Sequence, residues 1–184
     1  MGWASLAGTA KAFWVRPREA WEEIRDQETD AAELFTGVVF PAAAVPAIAH
    51  LLGFWYHGFF STIFKAILWY ALAVVAVWVV GKTLVLLAPQ FDAVPDETKA
   101  FRLAAYSFLP YFSAGIFYLL PFLSIVTLFG GLYGMVVLYH GIPVLMNIPD
   151  EKSIPYALTG GTVMLIAVVL IGCLTGGLIW PGKP

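Results

Sequence analysis

Apolar residues form four long runs in this chain, separated by short polar segments. The runs cover residues 34–53, 63–88, 103–146 and 156–180. A bilayer core about 30 Å thick is crossed by roughly 20 apolar residues in a helix. The run 103–146 contains no Asp, Glu, Lys or Arg, and as one helix it would be about 66 Å long. We therefore divide it into two spans, with a turn near Leu120 and Pro121. The pattern predicts an all-α, polytopic membrane protein with a five-helix transmembrane bundle over residues 34–180.

Residues 1–33 have a different pattern, rich in charge. Apolar residues at helical spacing begin at Trp3 and end at Trp14, and Pro17 suits the first turn of a second short helix. Trp21 and Ile24 then share one face of that helix. We predict a cytosolic segment of amphipathic helices. It either lies in the headgroup region or packs its apolar face on the end of the bundle.

The composition agrees with a membrane protein. Hydrophobic residues make up 60% of the chain and charged residues 12%, whereas soluble domains have about 25% charged residues. An ordinary soluble enzyme is therefore excluded. The formal net charge of -2 provides no basic excess for binding nucleic acid. The single cysteine, Cys173, cannot form an intramolecular disulfide.

The distribution of basic residues predicts the orientation of the five spans. With the N-terminus in the cytoplasm, only Lys65 and Lys183 of the 10 basic residues lie outside. Basic residues are enriched in cytoplasmic loops. We therefore expect an integral membrane protein with a cytoplasmic N-terminus and its C-terminus on the other side.

Two polar residues inside the spans are candidates for chemistry. Lys82 either has a function or extends its amine to the membrane surface. His140 either binds a metal, a proton or a lipid phosphate, or donates to a carbonyl freed by Pro143. His50 and His57 fall toward the opposite side, so we predict no zinc site. No carboxylate lies within a span, and no phosphate-binding loop is present. We predict no cofactor, no metal and no enzymatic activity.

Small residues and prolines interrupt the spans. Gly130 and Gly134 are four residues apart, as are Gly172 and Gly176. This spacing allows close helix approach in lipid, either inside the chain or between copies in a homo-oligomer. Four prolines are expected to kink their helices: Pro41, Pro46, Pro110 and Pro143.

Three stretches resemble the Yip family of Ypt/Rab-GTPase-interacting pentaspan membrane proteins. Pro17, Trp21 and Ile24 resemble the family's P-x-x-x-W-x-x-I lead-in. The stretch from Ala105 to Pro110, which includes Tyr106, is similar to its A-Y-S-x-x-P motif. A third stretch resembles the exit from span four and the entry to span five, and its residues include Gly134, Leu138, His140, Gly141 and Ile142.

The resemblance implies a pentaspan protein with a cytoplasmic N-terminus and no catalytic residue. Eukaryotic members bind prenylated Rab GTPases and carry a D-L-Y-G-P motif that this chain lacks. Rab binding is therefore not inferred. The short form resembles prokaryotic members, which implies the prokaryotic cytoplasmic membrane.

These observations favour a non-enzymatic scaffold, adaptor or membrane-organising protein. Its partners would be membrane lipids, further copies of itself, or a protein bound through the N-terminal segment. A small oligomeric transporter or channel is the alternative, with a path lined by Lys82, Tyr106 and His140. A lipid-handling protein is the third hypothesis, with Lys82, Lys99 and Arg102 contacting headgroups.

Overall fold

The computed structural model describes residues 3–27, 29–54, 58–146, 148 and 150–176, and every regular element in them is helical. The α-helices are α1 (Trp3–Val15), α2 (Pro17–Ile24), α3 (Ala31–Leu34), α4 (Phe40–Gly53), α5 (Phe59–Leu87), α6 (Glu97–Ser107), α7 (Leu109–Ala114), α8 (Val126–Leu145) and α9 (Asp150–Thr175). A π-helical turn, Phe35–Val39, joins α3 to α4, and 3-10 turns are formed by Ala88–Phe91, Gly115–Leu119 and Pro121–Leu123. The all-α prediction is confirmed.

Four helical stretches are long and apolar enough to cross a membrane, judged by length and composition. They are Ala31–Gly53, Phe59–Phe91, Pro121–Leu145 and Glu151–Thr175. Each coincides with a predicted span, although residues 177–180 of the last predicted span lie outside the described residues. The turn expected near Leu120 is present, because Leu120 leaves the helical conformation at φ −119° and ψ 98°.

The third predicted span is not a continuous α-helix. Helix α6 ends at Ser107, α7 covers only six residues, and a 3-10 turn follows it. Proline causes the first break, since Pro110 has no N–H and its ring would clash with the carbonyl of Tyr106 in an unbroken helix. The structure therefore supports four of the five predicted spans as continuous helices.

The broken segment lies at the centre of the bundle. Every residue from Ala100 to Phe112 is buried. Glycines of α8 approach it closely, because an added Cβ would lie 2.8 Å from the Pro110 oxygen at Gly130 and 2.5 Å from the Ser107 oxygen at Gly134. The Gly130–Gly134 pair thus packs inside the chain. Gly172 is also buried.

The other prolines have different effects. Pro41 follows the π-helical turn and occupies the first turn of α4. Pro46 lies inside α4 and packs against Gly115, where an added Cβ would be 2.2 Å from the Pro46 ring. Pro143 lies inside α8, in its last turn.

The charged residues gather at one end of the bundle, which we call the charged end. Lys82 of α5 pairs with Glu97 of α6, and Lys152 of α9 pairs with Asp92 in the loop between α5 and α6. Lys65 lies at the opposite end, where its amine is 3.8 Å from the position of a Cβ on Gly176.

Candidate functional site

Helices α1 and α2 form an N-terminal arm (residues 3–24) that packs along the side of the bundle. Helix α1 contacts α7, and α2 contacts α8. The indole of Trp14 donates to the Ser113 hydroxyl at 2.8 Å and stacks on the ring of Tyr133. Ser113 lies eleven residues beyond Arg102, a distance of about 16 Å along a helix. The arm thus reaches the middle of the bundle rather than its end.

The position of the arm changes the interpretation of residues 1–33. Helix α2 has the expected two faces, since Trp21 and Ile24 are buried while Arg18 and Glu22 are exposed. Helix α1 carries a single charged residue, Lys11, and it packs at the depth of Ser113. The amphipathic prediction is therefore not confirmed for α1, because an apolar helix beside the bundle needs no polar face.

Trp21 anchors α2 to α8. Its ring is fully buried, and its indole N–H donates to the carbonyl of Val137 at 2.8 Å. The ring lies over Gly141, where an added Cβ would be 2.5 Å from Trp21 Cε2 and 2.5 Å from Leu103 Cδ1. Only a residue without a side chain allows α2 to approach α8 this closely.

Trp21 and Gly141 form a packed group with two further aromatic rings, those of Phe13 and Tyr106, and we call this group the Trp21 socket. The ring of Phe13 meets Trp21 edge-on at 4.9 Å between centroids, and the ring of Tyr106 lies 6.0 Å from Trp21. Aromatic pairs in these geometries stabilise each other by about 0.5–1.5 kcal/mol beyond the area they bury. The socket therefore joins α1, α2, α6 and α8 into one packed unit.

Arg102 holds the end of α2 that lies nearest the charged end. Its guanidinium donates to the carbonyls of Ile24 at 3.4 Å, Arg25 at 3.2 Å and Gln27. These carbonyls lie at and just beyond the C-terminus of α2, where a cation is also favoured by the helix dipole. Arg102 is only 6% exposed, so this buried charge is offset by main-chain acceptors.

A polar cleft opens between the segment that follows the arm, residues 25–33, and the start of α6, and we call it the linker cleft. It has a volume of about 820 Å³ and is lined by Arg25, Asp26, Gln27, Thr29, Asp30, Glu33, Asp96, Thr98, Lys99 and Arg102. A second recess of about 550 Å³ shares three of these residues and extends to the π-helical turn and Tyr106. The lining of the cleft carries both signs of charge.

The chemistry of the linker cleft favours recognition rather than catalysis. Within the part of the chain that the structure describes, no group of three or more His, Cys, Asp or Glu side chains could hold a metal ion. Asp30 and Asp96 cap α3 and α6 by accepting from the main-chain N–H of Ala31 and Lys99. An open surface of mixed charge suits a polar protein segment better than a small anion.

Three of the six candidate residues from the sequence come together. Trp21, Tyr106 and Gly141 form the socket described above. Lys82 lies elsewhere, with its amine on Glu97 and near the rings of Trp78 and Phe101. This ion pair accounts for the position of its amine at the charged end.

The remaining candidates, Pro110 and His140, have local roles in the structure. Pro110 begins α7 and sets the break described above. The Nδ1 atom of His140 is 2.8 Å from the carbonyl of Val136, one turn earlier in α8. The expected acceptor was the carbonyl that Pro143 frees, which is that of Tyr139. That detail is wrong because the ring lies back along its own helix.

The anchoring role of Arg102 was not predicted from the sequence, which indicated only a headgroup contact. Phe13 and Ser113 were also not singled out. The available signal for Arg102 was its position, since apolar Phe101 and Leu103 flank a cation at the start of an apolar run. An arginine there needs an internal acceptor, but its partners lie more than 70 residues earlier in the chain.

The fold defines a helical integral membrane protein with its charge concentrated at one end. The model of the Yip1 domain matches residues 11–171. The chain therefore belongs to the Yip1 family, which confirms the resemblance. The family is in general non-enzymatic. No curated protein and no solved structure gives a significant match.

Proposed function

We propose that this protein is a non-enzymatic membrane adaptor whose contact surface is the exposed face of α2 together with the linker cleft. The observation that carries the proposal is the double fixation of α2 by the Trp21 socket and by Arg102. A helix fixed in this way presents its outer side chains in one orientation. Pre-organisation of this kind reduces the ordering cost of binding a partner.

The exposed face of α2 has the chemistry of a recognition surface. Arg16 pairs with Glu19, and Arg18 lies near Glu22, with all four side chains more than half exposed. Surface ion pairs of this kind contribute about 0–1 kcal/mol to stability. These charges are therefore available for a partner of complementary charge.

The centre of the bundle supports an adaptor rather than a transporter. The recess beside the π-helical turn is lined by Tyr106 but not by Lys82 or His140, and the linker cleft is lined by none of the three. Tyr106 is part of the socket, and both Lys82 and His140 have their own partners. The buried side chains of α6 and α7, from Ala100 to Phe112, occupy the centre of the bundle.

We propose the same orientation that the basic residues predict, with the charged end in the cytoplasm. Four continuous helices and the broken central segment would then make five crossings. Of the predicted cytosolic segment 1–33, residues 16–33 would form the cytosol-facing contact region, whereas α1 would lie beside the bundle at the depth of Ser113. Residues 34–180 would form the transmembrane domain. This arrangement places the linker cleft within reach of soluble partners and of lipid headgroups.

Site-specific photocrosslinking in native membranes tests the proposal. A photoreactive residue is placed at Arg18 or Thr98 on the proposed surface, or at Trp78 on the exposed side of α5 as a control. We expect a protein adduct of defined mass at the first two positions and none at Trp78. The same products at all three positions would contradict an adaptor surface.

Charge reversal sharpens this experiment. Glu22→Lys combined with Glu23→Lys should abolish the adduct at Arg18, whereas Glu151→Lys at the exposed start of α9 should leave it unchanged. An adduct that survives reversal on α2 would refute the role of this face. Proteoliposomes containing the protein should show no solute flux that depends on His140.

A further inference from the structure

A group of buried polar side chains lies in the half of the bundle away from the charged end. We call it the internal polar cluster, formed by His50, Trp69, Tyr111, Tyr118 and Thr127. They come from α4, α5, α7, the following 3-10 turn and α8. All five residues are at most 2% exposed.

The rings of this cluster are in mutual contact. Trp69 lies 5.8 Å from Tyr111 and 6.1 Å from Tyr118, measured between ring centroids. His50 meets Tyr118 edge-on at 5.7 Å. The Tyr118 hydroxyl accepts from Thr127 at 3.3 Å. Polar side chains from five elements of the fold therefore meet in one buried cluster.

Several of these atoms have no hydrogen-bond partner among the described residues. They are both ring nitrogens of His50, the indole nitrogen of Trp69 and the hydroxyl oxygen of Tyr111. The Tyr111 hydroxyl lies within interaction range of Tyr118 and Trp69 but meets hydrogen-bond geometry with neither. These polar atoms belong to side chains in mutual contact, but they form no hydrogen bonds with one another.

Unpartnered polar groups are costly in a hydrocarbon environment, at several kcal/mol each. A buried water typically makes about three hydrogen bonds to such groups. The cluster offers the indole N–H as a donor, the hydroxyls as donors or acceptors, and imidazole nitrogens of both kinds. This is the mixture that a bridging water requires.

We propose that the internal polar cluster is a binding site for ordered water enclosed within the bundle. The water would bridge His50, Tyr111 and Trp69, and so link α4, α5 and α7. Toward the charged end the site is closed by the buried rings of Phe108 and Phe112. The site is therefore a hydrated pocket rather than part of a path across the membrane, and the proposal does not depend on the adaptor function.

Radiolytic footprinting by X-rays tests this proposal, because hydroxyl radicals formed from a bound water modify the side chains next to it even when they are buried. Trp21 and Tyr156 are matched controls. Both are fully buried, but each donates to a main-chain carbonyl, of Val137 and Leu84 respectively. We expect modification of Trp69 and Tyr111 to exceed that of Trp21 and Tyr156 several-fold. Equal modification of the two pairs in the wild-type protein would overturn the proposal.

Two variants identify the groups that hold the water. His50→Phe should lower the modification of Trp69 several-fold, and His50→Gln, which keeps hydrogen-bonding atoms, should retain most of it. If His50→Phe does not fold, Tyr111→Phe provides the same measurement at Trp69. Modification that persists in the folded apolar variants would refute the assigned bridging residues. Repeating the exposure after rapid mixing into ¹⁸O-labelled water identifies the modifying oxygen as solvent-derived.

Discussion

The contact between Gly141 and Trp21 leads to a quantitative prediction about the N-terminal arm. In Gly141→Ala the new methyl group would lie 2.5 Å from Trp21 Cε2 and 2.7 Å from Trp21 Cζ2. A fully buried indole cannot rotate away, whereas the Leu103 methyl on the other side can. We therefore expect α2 to move away from α8.

The magnitude follows from the cost of overpacking. Inserting one methyl group into a packed interior costs about 1–3 kcal/mol. If the arm relieves the clash by undocking, that free energy shifts the equilibrium between docked and undocked arm by about 5- to 150-fold. The matched control is Gly8→Ala in α1, where an added Cβ meets nothing within 4 Å.

A cysteine-accessibility assay measures this equilibrium. Cys173 is replaced by serine, and Ile24→Cys introduces a thiol on the buried face of α2. A water-soluble maleimide then labels the thiol at a rate proportional to the undocked population, when docking is faster than labelling. We expect Gly141→Ala to raise this rate and Gly8→Ala to leave it unchanged.

The refuting result is equal labelling in Gly141→Ala and in its parent, with both proteins eluting as the same folded species. A double-mutant cycle adds a second criterion. Trp21→Leu removes the ring that the methyl group meets. The loss of docking free energy in the double variant Trp21→Leu, Gly141→Ala should therefore be much smaller than the sum of the losses in the two single variants. Additive losses would show that the clash does not involve Trp21.

Three further substitutions have distinct expected outcomes. Arg102→Lys should raise labelling at position 24, because an ammonium cannot reproduce the planar fork of donors to three carbonyls; unchanged labelling would exclude an anchoring role. Gly134→Ala should lower the free energy of unfolding by about 1–3 kcal/mol, because the methyl group would lie on the Ser107 carbonyl. A free energy of unfolding equal to that of Gly8→Ala would contradict close packing at Gly134. Tyr156→Phe removes the donor to Leu84 and should cost about 0.6–1.7 kcal/mol, while the exposed Tyr139→Phe should cost nothing measurable.

The sequence predicted the continuous spans well because their residues face two apolar environments at once. Helix α5 is apolar on the side toward lipid, with Trp78 exposed, and on the side toward the bundle, with Trp69 buried. Length and hydropathy identify such a helix without knowledge of its neighbours. The turn near Leu120 was also predictable from length, since a single helix over residues 103–146 would be longer than the bilayer is thick.

The candidate site was only partly predictable, because it depends on contacts between distant residues. Trp21, Tyr106 and Gly141 were chosen from separate short motifs, and nothing in their spacing shows that they meet. The Trp21 indole bonds to a carbonyl 116 residues later in the chain. For Arg102 the acceptors are main-chain carbonyls, which every sequence segment possesses and no side-chain pattern identifies.

Two segments show why an apolar pattern does not determine a membrane position. Helix α1 and the run from Leu103 to Ala114 in α6 and α7 are both largely apolar, yet neither is a continuous span. Their apolar residues face other helices: Phe13 contacts Trp21 and Tyr106, and Phe108 and Phe112 fill the bundle axis. Helix breaks at membrane depth are tolerated where protein surrounds the main chain, and burial from Ala100 to Phe112 meets that condition. The same surroundings allow Pro110 to interrupt this segment, because buried protein surrounds the carbonyl that it frees.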